Sequence, residues 1–187
     1  MKMDKQTLVS LILLMVVAAL YRAMPGRIWG FAPHLAMAIF GGAVIKNRAL
    51  AFLFPVLSML LSDFVYHILY LYHLTPIQGF YEGQLTNYLI IASLTLIGFG
   101  MRNITIPKIA AGAVAGPVVY FLSSNFLVWI GGGGLQRPKT FAGLMQCYQD
   151  ALPFFQTSLY GTMFFSALLF GGNYLLKRYM FRQPLVG

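Results

Sequence analysis

The sequence is poor in charged residues, and it is poorest in acidic ones. Only 9% of its 187 residues are charged, and only four are Asp or Glu. Soluble domains carry roughly 25% charged residues. At the same time 59% of the residues are hydrophobic, and no polar stretch is long enough to form a separate domain. The shortage of charge therefore excludes an ordinary soluble protein and predicts a single integral membrane domain.

Cysteine is almost absent, because Cys147 is the only one in the sequence. One cysteine excludes an intramolecular disulfide and a multi-cysteine metal site. The glycine run at 131–134 lacks the Gly-Lys-Ser/Thr ending of a phosphate loop, so ATP hydrolysis is not expected. No nucleophile, base and orienting residue occur together. We therefore expect no catalytic residues, no cofactor and no metal.

Basic residues outnumber acidic ones, which gives a net charge of +9. Nucleic-acid binding would need a basic face with interleaved aromatic residues, and none exists outside the hydrophobic runs. The cations instead flank these runs. If each run crosses the membrane, nine of the cations lie on one side of it: Lys2, Lys5, Lys46, Arg48, Arg102, Lys108, Lys177, Arg178 and Arg182. The other side has four: Arg22, Arg27, Arg137 and Lys139. Since cytoplasmic loops are enriched in Lys and Arg, both termini are predicted to be cytoplasmic.

Proline and glycine punctuate the hydrophobic runs, and the pattern predicts an all-α membrane protein, a six-helix transmembrane bundle. A helix needs about 17 or more residues to cross the hydrocarbon core. The predicted spans cover about residues 7–23, 33–45, 49–71, 85–101, 107–130 and 154–176. The second is short, so it is expected to tilt, to be re-entrant or to be extended by the preceding loop. Gly41 with Gly42, and Gly112 with Gly116, are spaced for close helix contacts.

A further helix is predicted outside the membrane, at about residues 140–152. Thr140 is placed to cap it, and Pro153 is expected to end it before the sixth span. Its apolar residues recur at helical spacing, opposite glutamine and aspartate. The apolar face consists of Phe141, Leu144, Met145 and Tyr148.

The third predicted span contains a carboxylate, Asp63, and His67 follows one helical turn later. A charged side chain at the bilayer centre costs about 2.5–3.5 kcal/mol on insertion scales, so it usually faces a bundle interior or a polar cavity. The spacing places both side chains on one face. They could contact a polar ligand, or they could fix the packing of helices. In the first case Asp63→Asn weakens ligand capture, and in the second it lowers stability first.

A second polar group lies late in the fifth span, where Asn125 precedes Trp129. On the predicted topology this region lies on the same side of the membrane as the end of the third span. We therefore expect one outward-facing pocket. Its polar members would be Asp63, His67, Asn125 and Cys147, and its apolar walls would be Trp129, Phe141 and Tyr148.

The stretch FAPHLAMAIFGGAVIKNRALAFLFPVLSMLLSD at 31–63, with SNFLVW at 124–129 and GLMQCYQDALPFF at 143–155, carries a resemblance. These segments resemble an uncharacterised bacterial family of six-span proteins with a transport role. That family is similar to the S components of energy-coupling-factor (ECF) transporters. The resemblance implies capture of a vitamin-like small molecule at the bacterial cytoplasmic (inner) membrane. It also implies a coupling subunit with two ATPases as partners, although solitary S components exist.

A different class of function is left open by the sequence alone. The small-residue faces and the aromatic content of 16% also suit an accessory subunit of a larger membrane complex. In that case the same faces would contact other proteins or a pigment rather than a substrate.

Overall fold

All regular structure in the computed structural model is helical within the residues that it describes, which are 5–24, 26–101 and 103–180. The side chains of 5–10, 177, 179 and 180 are not described. The predicted all-α class is therefore confirmed. Three cations used for the topology prediction, Lys2, Arg102 and Arg182, lie outside the described residues. The helices are α1 (Lys5–Ala23), α2 (His34–Val44), α3 (Arg48–Leu71), α4 (Gln84–Ser93), α5 (Thr95–Phe99), α6 (Ile106–Gly131) and α7 (Phe141–Met180).

Three of these helices are long and apolar enough to cross a membrane: α3, α6 and the Phe141–Leu176 part of α7. A helix rises about 1.5 Å per residue. The 24 residues of α3 therefore exceed the hydrocarbon core of about 30 Å. The N-terminus of α3 is capped by Asn47, whose side chain accepts a hydrogen bond from the Leu50 amide at 3.1 Å. The C-terminus of α6 is capped by Gly132 in the left-handed conformation.

The prediction that Pro153 separates two helices is wrong, because α7 runs through it for 40 residues. Thr140 does cap this helix, accepting from the Gly143 amide at 3.2 Å. Proline removes one backbone hydrogen bond, and contacts with α6 on both sides of Pro153 offset this loss. Tyr148 contacts α6 before the proline, and Phe155 contacts it after the proline.

The region of the predicted fourth span, 85–101, is divided into α4 and α5 at Leu94. The Leu94 and Ile97 amides bond carbonyls three residues back, which is the tighter pattern of a 3₁₀ turn. This turn lies where α5 approaches α2 most closely. A Cβ at Gly42 would overlap the Thr95 carbonyl, and one at Gly98 would overlap backbone atoms of α2. The predicted close contact at Gly42 is thus confirmed.

Helix α2 lies at the centre of the protein, which explains why so short a helix is so apolar. Every residue from His34 to Gly42 is buried. Its Ile39 packs against Gly112 and Gly116 of α6, where added side-chain carbons would crowd it. Phe40 contacts Phe170 of α7 edge to face, with ring centroids 5.2 Å apart. The predicted role of the two α6 glycines in close helix packing is confirmed.

The helices alternate in direction and so give the protein two different ends. The connections α1–α2, α3–α4 and α6–α7 lie at one end, which we call the long-loop end. Contacts between α3 and α4 and between α6 and α7 follow this order. Asp63, late in α3, bonds Gln84 at the start of α4, and Tyr148, early in α7, bonds the Leu122 carbonyl late in α6.

Candidate functional site

A buried ion pair between Arg22 and Asp63 lies toward the long-loop end. The Arg22 Nη1 group donates to Asp63 Oδ1 and to the Ser62 hydroxyl. The Asp63 side chain is only 2% exposed, whereas that of Arg22 is 17% exposed. The helix α1 therefore supplies the cation that balances the acid of α3.

The second oxygen of Asp63 is bonded by α4. Gln84 donates its Nε2–H to Oδ2 at 2.5 Å, and the Tyr88 hydroxyl donates to the same oxygen at 2.6 Å. Both carboxylate oxygens are thus occupied by protein donors, as a buried charge requires. We call Arg22, Ser62, Asp63, Gln84 and Tyr88 the polar cluster; it joins three helices.

The end of α1 is fixed by its backbone as well as by its side chain. The Tyr66 hydroxyl donates to the Arg22 carbonyl at 2.6 Å, and the Arg22 guanidinium lies 5.5 Å from the Tyr66 ring centroid. Arg27 donates its Nε–H to the same carbonyl at 2.8 Å. The Arg27 guanidinium also lies 5.6 Å from the Trp29 ring centroid, so the α1–α2 loop is folded back against the end of α1.

The loop between α3 and α4 covers the polar cluster. Gly79 lies so close to α3 that a Cβ would overlap the Asp63 carbonyl, and its own carbonyl accepts from Gln84 at 3.1 Å. The next residue, Phe80, stacks edge to face on His67, with ring centroids 5.3 Å apart. His67 therefore packs under this loop.

A chain of hydrogen bonds connects α4 to α6. Asn87 donates to the Tyr81 hydroxyl at 3.1 Å and accepts from the Tyr120 hydroxyl at 2.7 Å. Tyr81 belongs to the α3–α4 loop, and its partial burial raises the pKa of its phenol. A phenol has an ordinary pKa of about 10, so this hydroxyl is protonated at neutral pH and can both donate and accept.

Tyr120 also lines a cavity of about 200 Å³ between α6 and α7. Aromatic rings form much of its wall, and three polar side chains enter it from Ser124, Asn125 and Ser158. Ser158 also lies beside Gly30 of the α1–α2 loop, where an added Cβ would be 3.2 Å from its hydroxyl. The full lining is Pro117, Tyr120, Phe121, Ser124, Asn125, Ala151, Phe154, Phe155 and Ser158.

The other predicted wall residues lie around the α6–α7 connection. The Cys147 thiol is 3.6 Å from the Asn125 carbonyl, and the Tyr148 hydroxyl donates to the Leu122 carbonyl at 3.0 Å. Trp129 donates its indole N–H to the Pro138 carbonyl at 2.8 Å. Phe141 is 77% exposed. The contacts of Cys147, Tyr148 and Trp129 hold the connection together, and none of the four residues lines the cavity.

One more buried group lies between α2 and α3. His34 is 2% exposed, its Nε2 is 3.3 Å from the Ser58 hydroxyl, and its Nδ1 has no partner among the described residues. Ser58 also lies 3.5 Å from the Met15 carbonyl of α1. A polar seam therefore runs from His34 toward the polar cluster along the inner face of α3.

The seven residues predicted for one pocket fall into four neighbouring groups. Asp63 belongs to the polar cluster, His67 packs beneath the adjoining loop, and Asn125 lines the cavity. The remaining four lie at the α6–α7 connection, although Cys147 touches Asn125. The sequence argument did not find the links between these groups, which are Arg22, Gln84, Tyr88, Asn87 and Tyr120.

A signal for Arg22 was present in the sequence. It falls inside the first predicted span, at 7–23, and the whole chain has only four acids that could balance it. The amides and tyrosines carried no comparable signal, since such residues are common at the ends of membrane helices.

Comparison with known proteins places almost the entire chain in one family. The model of a family described as a family of unknown function, DUF6580, matches residues 2–184. A search of curated proteins finds no match, and a search of solved structures finds none either. The chain therefore belongs to the DUF6580 family, whose function is unknown.

Proposed function

We propose that this protein captures a vitamin-like small molecule for uptake across the bacterial cytoplasmic membrane. In this proposal the chain crosses the membrane six times: the three long helices cross it, and so do α1, α2 and the α4–α5 pair. Both termini then lie in the cytoplasm. The long-loop end then faces outward. An ECF-type coupling subunit with its ATPases is the proposed partner, as the resemblance to S components implies.

The observation that carries this proposal is the cavity between α6 and α7. Small-molecule sites are mostly apolar and contain a few convergent polar groups. Here the rings of Phe121 and Phe155 supply apolar walls. Asn125 donates one N–H to the Phe121 carbonyl at 2.8 Å, which leaves its second N–H and its carbonyl oxygen for a ligand. The cavity of about 200 Å³ is below the usual 300–1,000 Å³ of ligand pockets, which favours a compact ligand.

The polar cluster gives independent support. Ionisable groups inside membrane spans are expensive, and they commonly mark the path of a substrate or an ion. Asn87 and Tyr120 connect the neighbourhood of this cluster to the cavity wall through hydrogen bonds. The loop that carries Tyr81 lies over the cluster and bonds the same asparagine. In the proposed function, movement of this loop admits the ligand.

The proposal is tested by filling the cavity. Ala151 lines it, so Ala151→Phe should block binding, whereas Ala142→Phe changes an exposed alanine of the same helix. Both variants and the wild type would be purified in mild detergent, and the retained small molecules would be identified by untargeted mass spectrometry. We expect one compound with the wild type and with Ala142→Phe, and none with Ala151→Phe. Equal retention by all three would exclude the cavity as the binding site.

One observation favours the second candidate function, an accessory subunit of a larger membrane complex. Only 17% of the most apolar window of α6 is buried inside the protein. Lipid covers such a face in a solitary protein, and a neighbouring subunit covers it in a complex. Extraction from native membranes in mild detergent distinguishes the two. A large assembly that contains no ATPase would favour the accessory role.

A further inference from the structure

We propose that Arg22 binds a carboxylate group of the captured molecule, while Asp63 holds the Arg22 guanidinium in position. This inference rests on the proposed capture function and adds the chemical class of the ligand. It also changes the role expected for Asp63, from a ligand contact to a positioning residue.

The first argument is the distribution of hydrogen bonds around the ion pair. Both oxygens of Asp63 are occupied by donors from Arg22, Gln84 and Tyr88, and its side chain is 2% exposed. A ligand could bond Asp63 only by displacing one of these donors. The acid is therefore poorly placed to contact a ligand.

Arg22 is in the opposite situation. Its bonds to Asp63 and Ser62 both come from Nη1. Neither Nε nor Nη2 has a hydrogen-bond partner in the described part of the chain, and the side chain is 17% exposed. A guanidinium presents five N–H donors in a planar fork, and such a fork matches a carboxylate with two parallel hydrogen bonds. Nη1 is fixed, whereas Nε and Nη2 remain available. Arg22 does not line the cavity between α6 and α7, so the inference requires a ligand that extends from the cavity toward the end of α1.

The local charge favours an acceptor with a single negative charge. Arg27 bonds the Arg22 carbonyl, so a second cation lies near the ion pair. A carboxylate adds one negative charge beside Asp63, whereas a dianionic phosphate adds two, and Asp63 repels the larger charge more strongly.

The guanidinium is also held in place before any ligand arrives. Asp63 fixes Nη1, the Tyr66 ring lies 5.5 Å from the guanidinium carbon, and the Tyr66 hydroxyl fixes the Arg22 backbone. Restricting a long side chain in advance lowers the entropy lost on binding. A buried acid with no free oxygen is well suited to this positioning role.

The test measures whether the protein prefers a carboxylate over its neutral amide. The probes are 3-phenylpropanoate and 3-phenylpropanamide, which share an aromatic ring, and binding is measured by calorimetry on the full chain in nanodiscs. We expect the wild type to bind the carboxylate roughly tenfold more tightly than the amide, through charge-assisted hydrogen bonds. Weak binding of both probes without preference, or no binding of either, would overturn the inference.

The variants separate the two residues. The double variant Arg22→Gln with Asp63→Asn removes both charges, so it avoids an unpaired buried ion, and it should lose the preference. The single variant Asp63→Asn keeps the guanidinium but frees it to move, so it should keep the preference and bind the carboxylate more weakly than the wild type. Arg137→Gln, which alters a cation in an exposed ion pair with Asp150, is the control and should keep both the preference and the affinity. Retention of the preference in the double variant, or an unchanged carboxylate affinity in Asp63→Asn, would contradict the inference.

Failure of this inference can be told from failure of the proposed function. If the compound retained by the wild type and lost from Ala151→Phe has no carboxylate, capture stands and the role of Arg22 is wrong. If neither protein retains a compound and neither probe binds, the capture function itself fails.

Discussion

Arg22 and Asp63 form an ion pair although they are 41 positions apart in the sequence. The pair joins the end of α1 to the second half of α3. Gln84 and Tyr88 add α4 to the same centre. The carboxylate thus holds three helices together at the long-loop end. This arrangement determines what substitution of either residue should do.

We expect both Arg22→Gln and Asp63→Asn to destabilise the protein strongly. Arg22→Gln leaves the buried Asp63 carboxylate without its partner, and breaking a buried pair in this way costs about 3–5 kcal/mol. Asp63→Asn leaves the partly exposed Arg22 guanidinium unpaired and weakens the acceptor that Gln84 and Tyr88 share. The double variant should lose clearly less than the sum of the two single variants. Unfolding in a graded denaturing detergent, followed by circular dichroism, provides the measurement.

Arg137→Gln is the matched control for this prediction. Arg137 pairs with Asp150 at 2.8 Å, but both side chains are about one-third exposed. Exposed pairs contribute about 0–1 kcal/mol, so little change is expected. If Asp63→Asn is no more destabilising than Arg137→Gln, the polar cluster does not hold the helices together.

The contact between α2 and α5 should be intolerant of a single methyl group. A Cβ at Gly42 would overlap the Thr95 carbonyl, and backbone atoms cannot move aside as a flexible side chain can. Overpacking of this kind costs about 1–3 kcal/mol, so Gly42→Ala should lower the thermal midpoint. Gly171→Ala, in α7, has no atom within 4 Å of the new carbon. It should raise stability by about 0.5–1 kcal/mol, because alanine favours a helix.

The loop over the polar cluster should open when Gly79 is replaced. In Gly79→Ala the new methyl group would overlap the Asp63 carbonyl and crowd His67, so the loop must move away from α3. We expect faster amide hydrogen exchange through residues 73–83, measured by mass spectrometry. Gly133→Ala places its methyl group 3.5 Å from Val128, an ordinary contact, and should leave this loop unchanged. Unaltered exchange in Gly79→Ala would mean that the loop is held elsewhere.

The proposed topology makes a prediction for cysteine labelling. In a Cys147→Ser background, Leu135→Cys at the long-loop end should react with an impermeant maleimide on intact cells. Lys46→Cys, at the opposite end, should react only after the cells are permeabilised. A reporter fused after Arg182, beyond the described residues, should read as cytoplasmic. Labelling of position 46 from outside would reverse the orientation.

The sequence predicted the helical class and the close glycine contacts because both depend on local patterns. Hydrophobic runs bounded by proline and glycine define helices. Pairs such as Gly112 and Gly116 mark faces where another helix can approach. The prediction failed at Pro153, since proline removes only one backbone hydrogen bond and α6 packs against α7 on both sides of it. At Pro153, tertiary packing overrides the local tendency of proline to end a helix.

The candidate site was predictable only in part, for a related reason. Asp63 stands out because a carboxylate in an apolar run must be compensated. Its neighbour His67 lies on the same face in sequence, but the actual partners come from α1 and α4. Those partners depend on which helices pack together. The hydrophobic periodicity of one sequence shows which face of a helix is buried, but it does not show which helix packs there. Phe141 is 77% exposed because the first residue of a helix has few neighbours to cover it, and its place in a pocket wall stays a prediction.

The most direct test of small-molecule capture is native mass spectrometry of the intact wild-type protein released from nanodiscs. The account predicts a discrete species heavier than the bare chain by the mass of one non-lipid compound. The excess mass should persist in Ala142→Phe and disappear in Ala151→Phe. A wild-type spectrum that contains only the bare chain and lipid adducts, under conditions that preserve the fold, would contradict the account.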